Sequence, residues 1–545
     1  MRLPTRRMPW PGTAATDREP LLTREWLVTN GLGGYASGTV AGVATRRYHG
    51  YLVAGLPAPF GRSMMLNHLT ELLRLPDGVT ALFAGSELQG GRLELHGVDR
   101  LEEFRLTGGL PVWRYRVAAC VFEKSVWMAY EENTVYISYR LLAGDCPVRL
   151  KLRPSVHFRS HDAAVSSPLA EPYRLTAYDA GYEIADASDL PPLRLVLFGE
   201  RTAFTAERVR MREMLYRIEE NRGYDSVGEL WCMGYFRADL LPGQAVTLVA
   251  STEPWERFRD VAPETAHAVE LQRRERLLAG AHPVLHEGVG AELVLAADQF
   301  VAVPAARLGK RDQRPVPSEW GAEAARTVIA GYHWFTDWGR DTMISLEGLT
   351  LLPGRHAEAR AILRTFAGAM RDGLIPNLFP EGSQEGLYHT ADATLWFFHA
   401  IDRYLQATGD RETLRDLLPR LLDSVARHVA GTRFGIGVDA HDGLLRQGEQ
   451  GYQLTWMDAK VDQWVVTPRR GKAVEINALW YNALRLLAHW VVEEGVTTEP
   501  HGLAPTQLDE LATRCRTSFN QRFWYAAGGY LYDVVDDEHG GDDPA

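Results

Sequence analysis

The chain has 545 residues, 46% of them hydrophobic and 24% charged, with a formal net charge of −11. A chain of this length folds as more than one domain, and its ordinary soluble composition excludes a disordered or fibrous protein. The acidic balance repels nucleic-acid backbones, which argues against a phosphate-tracking function and leaves a neutral substrate unaffected.

The segment Met1–Pro20 carries several arginines with no apolar core behind them, so it does not read as a secretory signal. No run of about 18 apolar residues offers a membrane-spanning helix. Cys120, Cys146, Cys232 and Cys515 have neither metal-ligand spacing nor a disulfide framework, and read as buried reduced thiols. Cytoplasmic residence is the expectation that follows. The 15 Trp and 21 Tyr fit either large cores or stacking on sugar faces, and composition does not separate the two.

Along the chain, Asn30-Gly31-Leu32-Gly33-Gly34-Tyr35 has the wrong spacing for a dinucleotide loop and no βαβ pattern around it; tight turns between strands are expected. In Thr45-Arg46-Arg47-Tyr48-His49-Gly50 the arginine pair and histidine suit a domain interface better than a substrate. Val112–Val117, Ser125–Tyr130, Thr134–Leu141, Val148–Leu152, Leu193–Phe198 and Ala245–Ser251 are short, β-branched and aromatic segments bounded by turn residues, the pattern of a large antiparallel sandwich. Glu264–Ala279 is charged and helix-favouring and reads as a linker helix.

Beyond residue 288 the apolar period becomes helical. Ala359, Ile362, Leu363, Phe366 and Met370 recur at helical spacing, as do Leu395, Phe398, Ile401 and Leu405. Leu414, Leu417, Leu421, Val425 and Val429 follow, then Ile476, Leu479, Leu484, Leu487 and Val491. Gly348, Gly354, Gly373, Gly409, Gly431 and Gly495 punctuate these stretches, several as helix stops. Consecutive helices of this kind build a bundle, a solenoid or a closed toroid. The lack of a fixed-period repeat weighs against the solenoid. The expected division is a β domain over 1–260, a helical linker over 261–287 and a helical domain over 288–545.

The polar chemistry collects in the loops of the helical half. Trp334-Phe335-Thr336-Asp337-Trp338-Gly339-Arg340-Asp341-Thr342 sets two aspartates and an arginine among aromatics. A helix cap needs only one short polar residue. Guanidinium forks for hydroxyls and flat rings for a pyranose face make a sugar site instead. Asp392, in Tyr388-His389-Thr390-Ala391-Asp392-Ala393-Thr394-Leu395-Trp396, fits a cap nearly as well as a ligand. In Thr455-Trp456-Met457-Asp458 no helix starts at once, and a carboxyl desolvated beside Trp456 suits a general acid. Glu475 is either an ordinary acid of a helix's first turn or, with Asn477, a pocket residue. Cleaving a glycosidic bond takes two carboxyl groups, and Asp341, Asp392, Asp458 and Glu475 are the candidates. The chain has no H-E-x-x-H, C-x-x-C, P-loop or G-x-S-x-G, and nothing in it demands a metal or an organic cofactor.

These motifs, in this order, resemble a known family. Trp26–Tyr35 with Arg46-Arg47-Tyr48-His49-Gly50 is similar to the N-terminal domain of bacterial and archaeal glycogen debranching enzymes. Trp334–Thr342, Ile375-Pro376-Asn377, Asp392–Trp396 and Thr455–Asp458 resemble the amylo-α-1,6-glucosidase domain of that family. The resemblance implies a multidomain chain, an N-terminal antiparallel β-sandwich followed by an (α/α)6 toroid, that releases glucose with inversion from α-1,6 branch points of glycogen or branched α-glucan oligosaccharides. The motifs, the charge and the hydropathy lead to the expectation of no cofactor, no nucleic acid and no membrane. The resemblance makes Asp458 the general acid and Arg340 and Asp341 the grip on the departing glucose, with Trp338, Trp456, Asp392 and Glu475 around the pocket. The family toroid continues past Asp542-Asp543-Pro544-Ala545, so the toroid is expected to be incomplete here and the general base to lie beyond residue 545. Other enzymes of the same scaffold (glucoamylase, trehalase-like hydrolase, disaccharide phosphorylase) and a non-catalytic glucan-binding protein are the rival readings.

Overall fold

A computed structural model describes residues 2–8, 19–144, 147–169, 173–179, 181–305, 325–496 and 503–544; Cys146 and much of the N-terminal arginine segment fall outside them. The chain divides into two compact units, Met1–Arg314 and Pro315–Ala545.

The first unit is built on three sheets of nine, seven and five described strands, with antiparallel pairing between neighbouring strands. The sequence-predicted segments lie in the strands Leu110–Val117, Cys120–Met128, Thr134–Ala143, Val148–Ser155, Leu193–Phe198 and Ala245–Ser251. Side chains alternate across a strand. In Cys120–Met128 this sends Phe122, Lys124, Val126 and Met128 into the interior and leaves Glu123 and Ser125 half-buried on the opposite face. The one charge among the inward set, Lys124, is matched by Glu71 at 2.5 Å and by the Tyr51 hydroxyl at 2.7 Å, the pairing a buried ammonium requires. Leu52, Val126, Val135, Ile137, Leu150, Leu248 and Val249 belong to the continuous core.

The glycine-rich segment makes the turn between the paired strands Glu25–Thr29 and Tyr35–Thr39. Gly31 and Gly33 take φ of 72° and 84°. A Cβ on Gly34 would lie 2.8 Å from the backbone of Val53 and Gly55, so only glycine lets the chains approach. The arginine pair works inside this unit. Arg47 Nε donates to Glu219 Oε2 at 2.9 Å and Arg46 Nε to Glu25 Oε1 at 2.7 Å. The segment expected as a linker is helix α1, Pro263–Gly280, and it also belongs to this unit. Its Arg274 donates to the Gly108 carbonyl at 2.8 Å, and its Arg273 pairs with Asp298 at 2.8 Å.

The second unit is helical: α2 Gly339–Leu346, α3 His356–Gly368, α4 Ala393–Thr408, α5 Arg411–Ala430, α6 Val474–Glu494 and α7 Pro505–Arg522. The apolar period finds its core in Ile362, Leu363, Phe366, Leu417, Leu421, Val425, Ile476, Leu484 and Leu487, all buried. Gly409 and Gly495 end α4 and α6 in the left-handed region, at φ 68° and 61°, where glycine carries no Cβ penalty. The period overreaches at two ends. Met370 lies beyond the end of α3, and Val429, in the last turn of α5, is exposed. No helix among the described residues is long and apolar enough to cross a membrane.

Candidate active site

The site is assembled from the start of α2, the loop before α4 and the loop that carries Asp458. Trp338 stands just before α2 and bridges to Leu378, while Leu378 bridges onward to Leu387. Gly339 N–H donates to the Asn377 carbonyl at 2.6 Å, and Asn377 N–H to the Leu387 carbonyl at 2.6 Å. A Cβ on Gly339 would sit 2.2 Å from the Pro376 carbonyl oxygen, so this glycine is required where the two chains meet. Asp337 is buried and accepts from Thr327 Oγ1 at 2.9 Å. The third loop is tied in by Ala391 N–H, which donates to the Leu454 carbonyl at 2.8 Å.

Arg340, the second residue of α2, is turned inward and buried. Its Nε donates to Asp392 Oδ2 at 2.7 Å, its Nη1 to Asp458 Oδ2 at 2.8 Å and its Nη2 to the Thr455 carbonyl at 3.0 Å. A planar guanidinium presents fixed, divergent donors, which lets one side chain fix three segments at once. Burial opposes the charge on Arg340, yet Asp392 and Asp458 outweigh it and hold its pKa above the usual value. Asp392 occupies the N-cap position of α4 but makes no side-chain cap bond. Its second oxygen accepts from Thr390 Oγ1 at 2.8 Å, and Thr390 Oγ1 accepts from the Ala393 N–H at 3.3 Å. Thr390 therefore serves the helix end while Asp392 serves Arg340.

Asp341, the next residue, is reached by water yet crowded by protein. Loss of solvation raises its pKa, the Arg340 charge pulls the other way, and the carboxylates of Asp458 and Asp392 push it up further. The cluster thus contains one carboxyl whose environment favours keeping its proton, beside two that engage a guanidinium. Asp458 is about one-third exposed, with a side-chain accessibility of 31%. Trp456 is exposed at 56%, so the neighbour that shapes the surroundings of Asp458 is Arg340 rather than the indole.

Trp338 is half-buried and meets Phe335 edge-on at 5.8 Å. Glu475 lies in the first turn of α6 in a second network: Arg469 donates to its two oxygens at 2.6 and 2.7 Å and reaches Asp533 at 2.6 and 2.7 Å. The structure therefore brings together Arg340, Asp341, Asp392 and Asp458, and joins Glu475 to Arg469 and Asp533. Asn477 is buried and bonds both backbone groups of Leu445, at 2.6 and 3.0 Å.

Sequence reasoning assigns no role to His389. Burial lowers its pKa, Asp458 acts against this, and Lys460 and Arg340 lower it further, which places the imidazole within electrostatic reach of the cluster and neutral near pH 7. Its position three residues before Asp392 was the available signal. Asp439, Asp442 and Asp536 bring carboxylate oxygens within 4.8 Å of one another. Lys472 Nζ already sits among them at 2.9, 2.6 and 2.7 Å, so an ammonium supplies the positive charge a cation would bring.

A family profile described as "Amylo-alpha-1,6-glucosidase" matches residues 295–545, and one described as "Glycogen debranching enzyme N terminal" matches residues 24–247. A glycogen debranching enzyme of Saccharomyces cerevisiae is 30% identical over 207 aligned residues, which cover 28% of this chain and 13% of the yeast protein. The chain thus spans only a small part of the length of that curated relative. A bacterial glucoamylase solved in complex with acarbose is similar at 9% identity and a TM-score of 0.47, covering 99% of this chain and 74% of that one.

Proposed function

We propose, since the chain belongs to the glycogen debranching enzyme (amylo-α-1,6-glucosidase) family, that its helical unit hydrolyses α-1,6-linked glucose from branched α-glucans with inversion. One observation carries the reading: two separate loops deliver Asp392 and Asp458 to the guanidinium of Arg340, whose neighbour in α2 is Asp341. Hydrolysis of a glycosidic bond through an oxocarbenium-like transition state needs clustered carboxyl groups, one to protonate the leaving oxygen and others to hold the ring and favour developing positive charge.

In this reading Asp458 gives its proton to the leaving glycosidic oxygen. The bond from that oxygen to C1 breaks, and a water activated by a second carboxylate adds to C1 from the opposite face. Arg340 fixes Asp458 through Oδ2, which leaves Oδ1 to carry the proton. Asp341 holds glucose hydroxyls, Asp392 locks Arg340, and Trp338 and Trp456 border the ring, with Glu475 at the pocket's edge. Residues 1–260 are assigned as an antiparallel sandwich and the helical unit as part of an (α/α)6 toroid; the compact division falls at 314/315, later than the expected 288, and the 261–287 segment stays with the β unit. Glycogen or its branched oligosaccharides are the partners. The buried free thiols of Cys120, Cys232 and Cys515 suit a reducing cytoplasm.

A second assignment of roles is favoured by one observation, the raised pKa of Asp341. A carboxyl that holds its proton more tightly is better equipped to donate it, so Asp341 is the alternative acid, with Asp458 as its companion.

The test is product analysis. The protein is incubated with a branched limit dextrin and the released sugar followed by NMR. β-Glucose appearing first supports inverting α-1,6 hydrolysis. Glucose from linear α-1,4 ends would make the chain a glucoamylase, a phosphate requirement a phosphorylase, and binding without release a glucan-binding protein.

A further inference from the structure

The first unit carries a cleft of about 260 Å³ that the catalytic reading does not use. It lies on the outward face of the nine-stranded sheet, where α1 covers part of that face. Strand register builds its floor. Ser125 stands opposite Ser138, and Ser138 opposite Thr247, so three hydroxyls run in a row across three adjacent strands. Thr247 Oγ1 donates to Ser138 Oγ at 2.9 Å, and the Ser125 hydroxyl has no hydrogen-bond partner among the described residues. The polar side chains of this face continue the alternation that puts Phe122, Lys124 and Val126 inside.

The charges around the row cancel. Arg105 and Glu123 pair with each other at 2.7 Å. Arg140, from the strand carrying Ser138, and Glu264, from the first turn of α1, both line the cleft, and neither has an ion-pair partner among the described residues. An anion would meet Glu264, a cation would meet Arg140, and a ligand with many neutral hydroxyls satisfies both. His267 closes one side, its ring 4.5 Å from that of Trp127, which stacks in turn on Tyr136 at 5.3 Å. Burial lowers the pKa of His267, and Arg140 lowers it further. At neutral pH its ring therefore offers one donor and one acceptor rather than a charge. The volume lies just under the ~300–1,000 Å³ of sites that take drug-sized ligands, so the cleft has room for a ring or two rather than a chain.

We propose that this cleft is a second carbohydrate site, which binds an uncharged pyranose through Ser125, Ser138, Arg140, Glu264 and His267. An enzyme with such a site holds one branch of its polymer while another is cut, and gains effective concentration from the second contact. The inference is independent of the catalytic reading, because the cleft lies within the β unit and every residue named is outside the helical one.

The experiment is hydrogen exchange of the full chain with and without maltose, followed in peptides covering Glu123–Trp127 and Glu264–Leu271. Protection of both segments is the expected result. The maltose concentration for half-protection rises about tenfold or more in Arg140→Ala and in Glu264→Gln, the loss of a hydrogen bond to a charged group. Both side chains are exposed, so the variants retain the fold. Absence of protection in the wild-type chain overturns the proposal. So does protection that the two variants leave unchanged, or protection by inorganic phosphate where maltose gives none.

Discussion

Asp392 sits at the N-cap of α4, yet its carboxylate accepts from Arg340 Nε at 2.7 Å and makes no side-chain bond to its own helix. Both partners are buried, with side-chain accessibilities of 9% for Arg340 and 1% for Asp392. A cap acid that abandons the cap position must gain more elsewhere. In a water-poor interior a bond between two full charges outweighs the bond a carboxylate makes to a backbone N–H, and Thr390 takes over the helix end.

Arg340→Met removes the guanidinium and leaves Asp392 as a buried, uncompensated charge. Breaking a buried pair on one side costs about 3–5 kcal/mol. The expected outcome is a loss of that order in the unfolding of the helical unit, read by denaturant titration, together with loss of glucose release. Arg340→Lys keeps the charge but cannot reach Asp392, Asp458 and the Thr455 carbonyl together, so it recovers part of the stability and little of the activity. Unchanged stability in Arg340→Met would contradict the pairing.

Gly339→Ala places a Cβ 2.2 Å from the Pro376 carbonyl oxygen. Backbone cannot yield as a flexible side chain does, so the loop carrying Asn377 or the start of α2 must move. Overpacking of this kind costs about 1–3 kcal/mol. The move is propagated to Arg340, the adjacent residue, and activity falls further than stability predicts. Glucose-release kinetics and thermal melting on the same preparation separate the two.

How much of this was legible in the sequence differs by residue. The α4 and α6 stops at Gly409 and Gly495 were readable because a left-handed φ is a local demand. The strand segments were readable because β-branched and aromatic runs between turn residues are also local. The aspartate set at 341, 392 and 458 was found from loop composition. The use of Arg340 was not. The resemblance implies a grip on sugar hydroxyls, and three of the five Arg340 N–H donors also go to Asp392, Asp458 and the Thr455 carbonyl. Those partners lie 52, 118 and 115 residues away, and no window of local pattern contains them. The same holds for the α1 segment, whose charge and helix propensity suggested a linker helix between domains, while Arg274 anchors it to the Gly108 carbonyl.

Glu475→Gln tests the second network. Arg469 is nearly fully buried, with 3% side-chain accessibility, and divides its donors between Glu475 and Asp533. Removing one carboxylate leaves the other in place. The expected loss is about 1.5–3 kcal/mol, that of a hydrogen bond to a charged group, seen as a lower midpoint for the helical unit. A raised KM at unchanged stability would instead make Glu475 a direct sugar ligand.

Asp341 is tested by pH. Asp341 has a pKa raised above its ordinary 3.8, with desolvation the largest cause. A carboxyl that binds its proton more tightly when folded contributes stability at low pH that is lost as pH rises through its folded pKa. Asp341→Asn is neutral at every pH and escapes that loss. Relative to the variant, the native chain should therefore lose stability as pH climbs from 3.8 through the folded pKa, and level off above it. Urea unfolding across that range measures the difference. The kinetic signatures also diverge. With Asp458 as the acid, Asp458→Asn lowers kcat by about 10²–10⁴-fold with glucan affinity retained, and Asp341→Asn chiefly raises KM by weakening the hold on glucose hydroxyls. If Asp341 is the acid, the two variants exchange phenotypes, and the basic limb of the native pH–rate profile disappears in Asp341→Asn. A chain in which both variants turn over normally would remove this cluster from the chemistry altogether.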